Sequence, residues 1–177
     1  QKVRVEEGKT LTKRLRQFQA LKDASSDELF IELCFCLLTA NFNAERAIGI
    51  QEQIKNGFIT LNEEELANRL KELGYRFPNK RAEYIIEARK HKPELKKLLN
   101  SMPELKLREW LAENVKGLGM KEASHFLRNI GFTNVAIIDY HILDLLEREG
   151  VIERPKNLSK KNYLRIESEL RKLGTNL

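Results

Sequence analysis

Val115–Gly131 reads VKGLGMKEASHFLRNIG, an order of residue types that specifies a helix, a tight turn and a second helix. Trp110, Leu111 and Val115 close an apolar-periodic segment just before Gly117, and the next helix is expected to begin near Met120. Gly117 and Gly119 are expected to take backbone angles closed to other residues, and neither carries a side chain that would keep a ligand away. Such a turn exposes backbone N–H groups beside a helix N-terminus, an anion site suited to a phosphate. An ordinary glycine-containing connection would show the same two glycines, so Gly-x-Gly alone leaves both readings open.

Lys121 falls in the first turn of that second helix, where a cation opposes the macrodipole by about 0.3–1 kcal/mol. So small a penalty does not free a lysine amine of its proton. A nucleophilic Lys121 therefore calls for desolvation, with Met120, Phe126 and neighbouring apolar helices as its expected source. The plain alternative is a solvated surface lysine. Eighteen residues on, Ile137-Ile138-Asp139-Tyr140-His141 places Asp139 where a helix through Ile142, Leu143, Leu145 and Leu146 should start. Asp139 reads either as an N-cap or as a carboxylate at the mouth of a cleft opposite Lys121.

Helical signals extend in both directions from the hairpin. Ser25-Ser26-Asp27-Glu28 has the form of a capping box opening the run Leu29, Phe30, Leu33, Phe35, Leu37, Leu38, apolar almost all round and so expected to be central. Asn62 with Glu65 marks another start, and Leu66, Leu70 and Leu73 lie on one face before Gly74. Pro93 suits a first helical turn. Ser159 begins a last amphipathic stretch through Ile166, Leu170 and Leu173, with Gly174 after it. Period-2 alternation is not sustained, and Val135–Ile138 is too short to found a sheet. The fold class is all-α: two helical lobes flanking a cleft, the central one over about residues 27–130 with the hairpin at 112–131, and the second from 1–26 and 132–177.

Of 177 residues, 32 are Lys or Arg and 26 are Asp or Glu, giving a net charge of +6. That balance favours a polyanionic partner if the positive charge is localised. A charged fraction of 33%, with only two cysteines and two methionines, leans towards a thermophilic source. Cys34 and Cys36 lie two apart in an apolar run, a spacing that fits neither a zinc site nor a four-cysteine cluster. They read as small buried residues in a reducing compartment. No apolar run reaches 18 residues and no signal peptide is visible, so a soluble, intracellular protein is expected.

GLGMK followed by AIIDYH resembles the helix-hairpin-helix DNA glycosylases, whose signature is a Leu-x-Gly-x-Gly-x-Lys hairpin followed by an Asp. Leu37-Leu38-Thr39-Ala40-Asn41 is similar to the family segment that ends in an Asn or Gln entering the duplex. Gly74-Tyr75-Arg76-Phe77-Pro78-Asn79-Lys80-Arg81-Ala82 is similar to the turn and helix start that follow. Within the family the chain looks closest to the compact, archaeal-type 8-oxoguanine DNA glycosylase/lyases. That subfamily lacks the N-terminal β-domain of the eukaryotic enzyme and the four-cysteine iron–sulfur loop of the endonuclease III branch, and the same is expected here. In the compact subfamily the chain continues beyond the point corresponding to Leu177, and that end helps recognise the oxidised base.

The resemblance implies a bifunctional base-excision repair enzyme that removes 8-oxoguanine and nicks the strand. A base in a duplex must first be flipped out. Asn41 is then expected to fill the vacated space, with a turn-stabilising Asn as the alternative. Lys121 attacks the sugar C1′, Asp139 stabilises positive charge growing on the sugar, and the resulting Schiff base allows β-elimination. Gly117 and Gly119 grip a phosphate, as does His141 unless it is a buried structural histidine. Arg76, Lys80 and Arg81 supply positive potential at the rim, unless they are simply solvated charges. Phe77 and His125 belong to the base pocket, Phe77 as an aromatic stacking on a base unless it lies in the core. The expected partner is double-stranded DNA containing an oxidised base, bound by a monomer in the cytoplasm at the nucleoid. No membrane, iron–sulfur cluster or other cofactor is implied, beyond a monovalent cation at the hairpin backbone carbonyls. Two alternatives stand beside this: a helix-hairpin-helix module that only binds DNA, and a glycosylase/lyase for oxidised pyrimidines.

Overall fold

The computed structural model describes residues 12 and 16–175. Ten α-helices follow a helical stretch over residues 16–21: α1 Ser26–Thr39, α2 Ala44–Ile54, α3 Gly57–Thr60, α4 Glu63–Glu72, α5 Pro78–Ala88, α6 Lys92–Ser101, α7 Glu104–Asn114, α8 Met120–Asn129, α9 Tyr140–Arg148 and α10 Lys160–Thr175. No strand occurs among the described residues. No helix there is long and apolar enough to cross a membrane.

The caps form where the sequence places them. Ser25 accepts from Glu28 N–H while the Glu28 side chain accepts from Ser25 N–H, and Asn62 and Glu65 repeat the exchange at α4. Each satisfies donors that the first helical turn leaves without partners. Gly74, at φ +74°, ends α4: its N–H bonds Lys71 O and the next N–H, of Tyr75, bonds Leu70 O. That pairing is the Schellman stop. The last helix runs on through Gly174 to Thr175, past its expected end, since glycine in a fraying terminal turn weakens a helix without forbidding it.

α1 is the central helix. Leu29, Phe30, Leu33 and every residue from Cys34 to Thr39 are buried, and α2, α5, α6 and α8 pack around it. Burial pushes both thiols far up, so Cys34 and Cys36 are inert fillers here. The apolar interior falls into two clusters. The larger extends from Leu29 to Ile130; the smaller joins Ile138, Leu143, Leu146, Ile152, Tyr163 and Ile166. Leu21 and Ala24 pack against the larger cluster, whereas the sequence reading assigns residues 1–26 to the second lobe. The rest of that assignment, residues 1–11 and 13–15, lies outside the described residues.

A buried network joins the clusters. Both terminal nitrogens of Arg108 on α7 donate to the Glu167 carboxylate on α10, the second at 2.8 Å, and Arg108 also reaches Ser124 Oγ on α8. Glu167 Oε1 accepts from Ala136 N–H at 2.8 Å. Tyr163 Oη donates to Ala136 O at 2.6 Å and accepts from Ile138 N–H at 3.1 Å. The non-helical segment leading to Asp139 is therefore held by side chains of α10.

Candidate active site at the hairpin

The connection between α7 and α8 is a short turn anchored by its own apolar residue. Leu118 is buried in the larger cluster, and its N–H bonds Val115 O at 3.0 Å. Gly117 lies at φ +85°, and a Cβ there would stand 2.3 Å from the Tyr84 ring. Both the angle and the space require glycine. Gly119, expected to need the same freedom, is at φ −93° in ordinary extended backbone. What its missing side chain leaves is room for Glu122, whose Oε2 lies 3.1 Å from where a Gly119 Cβ would sit. Gly119 gives α8 no side-chain cap, so the first-turn N–H groups stay open to an anion.

Tyr84, which the sequence reading passed over, ties the hairpin to the Gly74–Ala82 turn. Its ring packs on Gly117, with Lys80, Arg81 and Lys116 placed 5.2, 5.6 and 5.6 Å from its centre. Lys80 and Lys116 share one carboxylate, Glu83. The only sequence hint was that Tyr84 lies three residues past Arg81 and four past Lys80, hence on their helix face.

Arg81 itself departs from expectation. It is a buried strut, not a rim cation: its Nε donates to Tyr75 Oη at 2.9 Å and its Nη2 to Ala40 O at 3.3 Å, while Tyr75 Oη donates to Leu38 O. These bonds occupy carbonyls that the C-terminus of α1 would otherwise leave bare. They also hold the turn in which exposed Asn41 adopts the left-handed conformation, φ +57°. Arg76 and Lys80 are exposed, as expected of rim cations. Phe77 projects 53% exposed at the start of α5 with the Arg76 guanidinium 4.9 Å from its ring centre.

His125 lies on a different wall. It packs edge-on to Phe35, ring centres 5.6 Å apart, in a cleft of about 1050 Å³ between the 16–24 segment, α1, α2 and α8. Phe77 is not in the lining of that cleft, so the structure does not unite the two residues in one pocket. The cleft also holds buried polar atoms with no partner among the described residues, Asn129 Oδ1 and Arg128 Nε. Burial first, then the Arg128 and Lys121 cations, push His125 down to about 4. Because the folded protein resists charging a ring that titrates near 6.5 when unfolded, stability is full above about pH 6.5 and declines towards pH 4, by on the order of 3 kcal/mol. Denaturant melts across that range should show the decline in the parent protein and a flatter profile in His125→Gln; parallel profiles would refute it.

Lys121 stands in the first turn of α8, 32% exposed, with its Nζ 3.1 Å from Glu122 Oε1. Met120 and Phe126 do not supply the dry setting expected of them. Phe126, five residues on, leaves the helix about 140° away and is buried in the larger cluster. Met120 packs instead on the smaller cluster, which Ile138 and Ile142 share. Those two residues flank Asp139, so that packing ties the start of α8 to the start of α9. Asp139 is the N-cap of α9, one oxygen accepting from Ile142 N–H at 2.9 Å; His141 is exposed in the first turn.

Comparison with known proteins places this architecture. The family model described as Ogg-HhH, 8-oxoguanine DNA glycosylase, matches residues 11–177. The chain belongs to the Ogg-HhH family. A relative in this family, the 8-oxoguanine DNA glycosylase/AP lyase of Korarchaeum cryptofilum, is 57% identical, over 94% of this chain and 82% of its own length. The crystal structure of the Methanocaldococcus jannaschii 8-oxoguanine glycosylase/lyase in complex with a 15mer DNA containing 8-oxoguanine superposes with a TM-score of 0.91 at 49% identity, over 96% of this chain and 82% of that one. The Thermotoga maritima 8-oxoguanine DNA glycosylase gives 0.92 at 46% identity, over 99% and 85%. The chain shares the fold of those crystal structures, and its described residues contain no strand.

Proposed function

We propose that this chain is a base-excision repair enzyme that removes 8-oxoguanine from duplex DNA and cleaves the resulting abasic strand by β-elimination. The observation that carries this reading is Lys121 in the uncapped first turn of α8, where the same open N–H groups that attract a phosphate bring the sugar to an amine. The names of the relatives and the DNA-bound neighbour support the substrate.

In this reading a helical lobe over about 27–130 and a second over 132–177 flank the DNA-binding cleft. The hairpin at Gly117 and Gly119 grips a backbone phosphate, with Arg76, Lys80 and His141 adding positive or hydrogen-bonding contacts. Asn41 enters the duplex from its left-handed turn, and exposed Phe77 stacks on a base there. The flipped base enters the cleft lined by Phe35 and His125, where Asn129 and Arg128 offer unpaired polar atoms. Asp139, through the carboxylate oxygen not engaged by Ile142, faces the sugar charge. A monovalent cation at the hairpin would have backbone carbonyls alone as ligands, since no group of three His, Cys, Asp or Glu among the described residues could hold a metal. Val115 O is already occupied by Leu118, and no step needs the ion. The enzyme acts as a monomer, in the cytoplasm at the nucleoid.

The test is to mix the protein with a duplex carrying one 8-oxoguanine and add borohydride. A covalent protein–DNA band is expected; duplex binding with neither a trapped band nor strand scission would overturn the lyase reading.

A further inference from the structure

The ion pair at the hairpin is less exposed than the pairs Lys80–Glu83 and Arg69–Glu72. Lys121 and Glu122 are 32% and 13% exposed, against 55% and 35% for Lys80–Glu83 and 42% and 64% for Arg69–Glu72. Exposed pairs of that kind are screened by water and contribute little. The Glu122 carboxylate instead folds back over Gly119, with Oε1 on the Lys121 amine and Oε2 against the turn. Gly119, Lys121 and Glu122 together line one side of a cavity of about 420 Å³.

Other titratable groups near the pair come from four helices. α7 contributes Glu109 and Glu113, α10 Lys160 and Tyr163, α1 Cys36, and α8 itself His125. Lys160 lies 2.8 Å from Glu113 and 3.6 Å from Glu109, so these three charges answer one another. Burial keeps the Tyr163 hydroxyl and Cys36 thiol protonated and His125 neutral. Glu122 is the carboxylate placed directly against the amine.

We propose that Glu122 is the proton acceptor that frees the Lys121 amine for attack, an assignment that rests on the lyase reading above. In the chain alone the amine and the carboxylate face each other across 3.1 Å. A duplex lying on the hairpin excludes water from both groups, and in a drier site two opposite charges lose their advantage over a neutral amine beside a neutral carboxyl. The Nζ–H bond breaks, its proton passes to Glu122 Oε1, and the electron pair left on nitrogen bonds to C1′ of the abasic aldehyde as the C=O π pair moves onto oxygen. The aldehyde oxygen then takes one proton from nitrogen and one from Glu122 and leaves as water. That closes the imine cation and restores the carboxylate.

A duplex with a preformed abasic site isolates this step from base recognition. Borohydride trapping is followed against pH for the parent protein and Glu122→Gln, with Lys121→Gln as control. Gln suits this first-turn position as well as Glu does, so the variant folds. At pH 7 its trapping rate should fall about 100-fold, the lower end of general-base effects, and climb towards the parent rate as pH rises. Duplex affinity should hold or improve, since a negative charge leaves the phosphate side. A rate and pH profile superimposable on the parent would overturn the proposal. So would an equal loss at every pH, which would make Glu122 a structural residue only. No trapping by the parent at any pH would instead remove the lyase reading.

Discussion

Lys121→Gln is expected to abolish the borohydride-trapped complex and strand scission, by at least about 10³-fold, while leaving duplex affinity nearly unchanged. Glutamine is one atom shorter than lysine and matches its helix propensity, but has no nucleophilic lone pair. It also removes a cation that opposes the macrodipole, so α8 is not weakened. In the proposed reading the groups that grip the phosphate are backbone N–H of the turn, which the substitution does not touch. Trapping on an 8-oxoguanine duplex, beside anisotropy titrations at two salt concentrations, checks both halves. Scission surviving in the variant would assign the nucleophile elsewhere; affinity collapsing with it would make Lys121 a phosphate contact.

Arg108→Met should be the most destabilising single change outside the apolar core, costing about 3–5 kcal/mol. Arg108 is fully buried and Glu167 nearly so, and removing the arginine leaves the carboxylate only Ala136 N–H at 2.8 Å and the part-exposed Arg171 guanidinium at 3.7 Å. Burial pushes the Glu167 carboxyl up, but Arg108 and the Ala136 N–H outweigh it and hold the group below its ordinary range. A loss of this size is a large fraction of the roughly 5–15 kcal/mol that domains possess. The pair Arg108→Met with Glu167→Leu should cost less than Arg108→Met alone, because no orphan charge remains, although Ala136 N–H loses its acceptor. Denaturant melts decide: a single-variant loss under about 1 kcal/mol would show that water or a neighbour compensates Glu167. Activity should fall in the single variant at temperatures where it is still folded, because the same network positions the segment that delivers Asp139.

The helical class, both capping boxes, the central run from Leu29 to Leu38 and the hairpin were all legible in the chain alone. Each rests on contacts between residues a few positions apart, and such contacts are written directly into residue order. The positions of Lys121 and Asp139 at helix starts were legible for the same reason. Three things depended on residues far apart in the chain, and only packing decided them. Arg81 became a buried strut because Tyr75, Leu38 and Ala40 converge on it. Gly117 needs glycine partly because Tyr84, 33 residues earlier, fills the space beside it. Phe77 and His125 ended on different walls because α5 and α8 present them to different neighbours. Burial and charge pairing are properties of the assembled surface, and a one-dimensional pattern carries them only where the neighbour is also close in sequence.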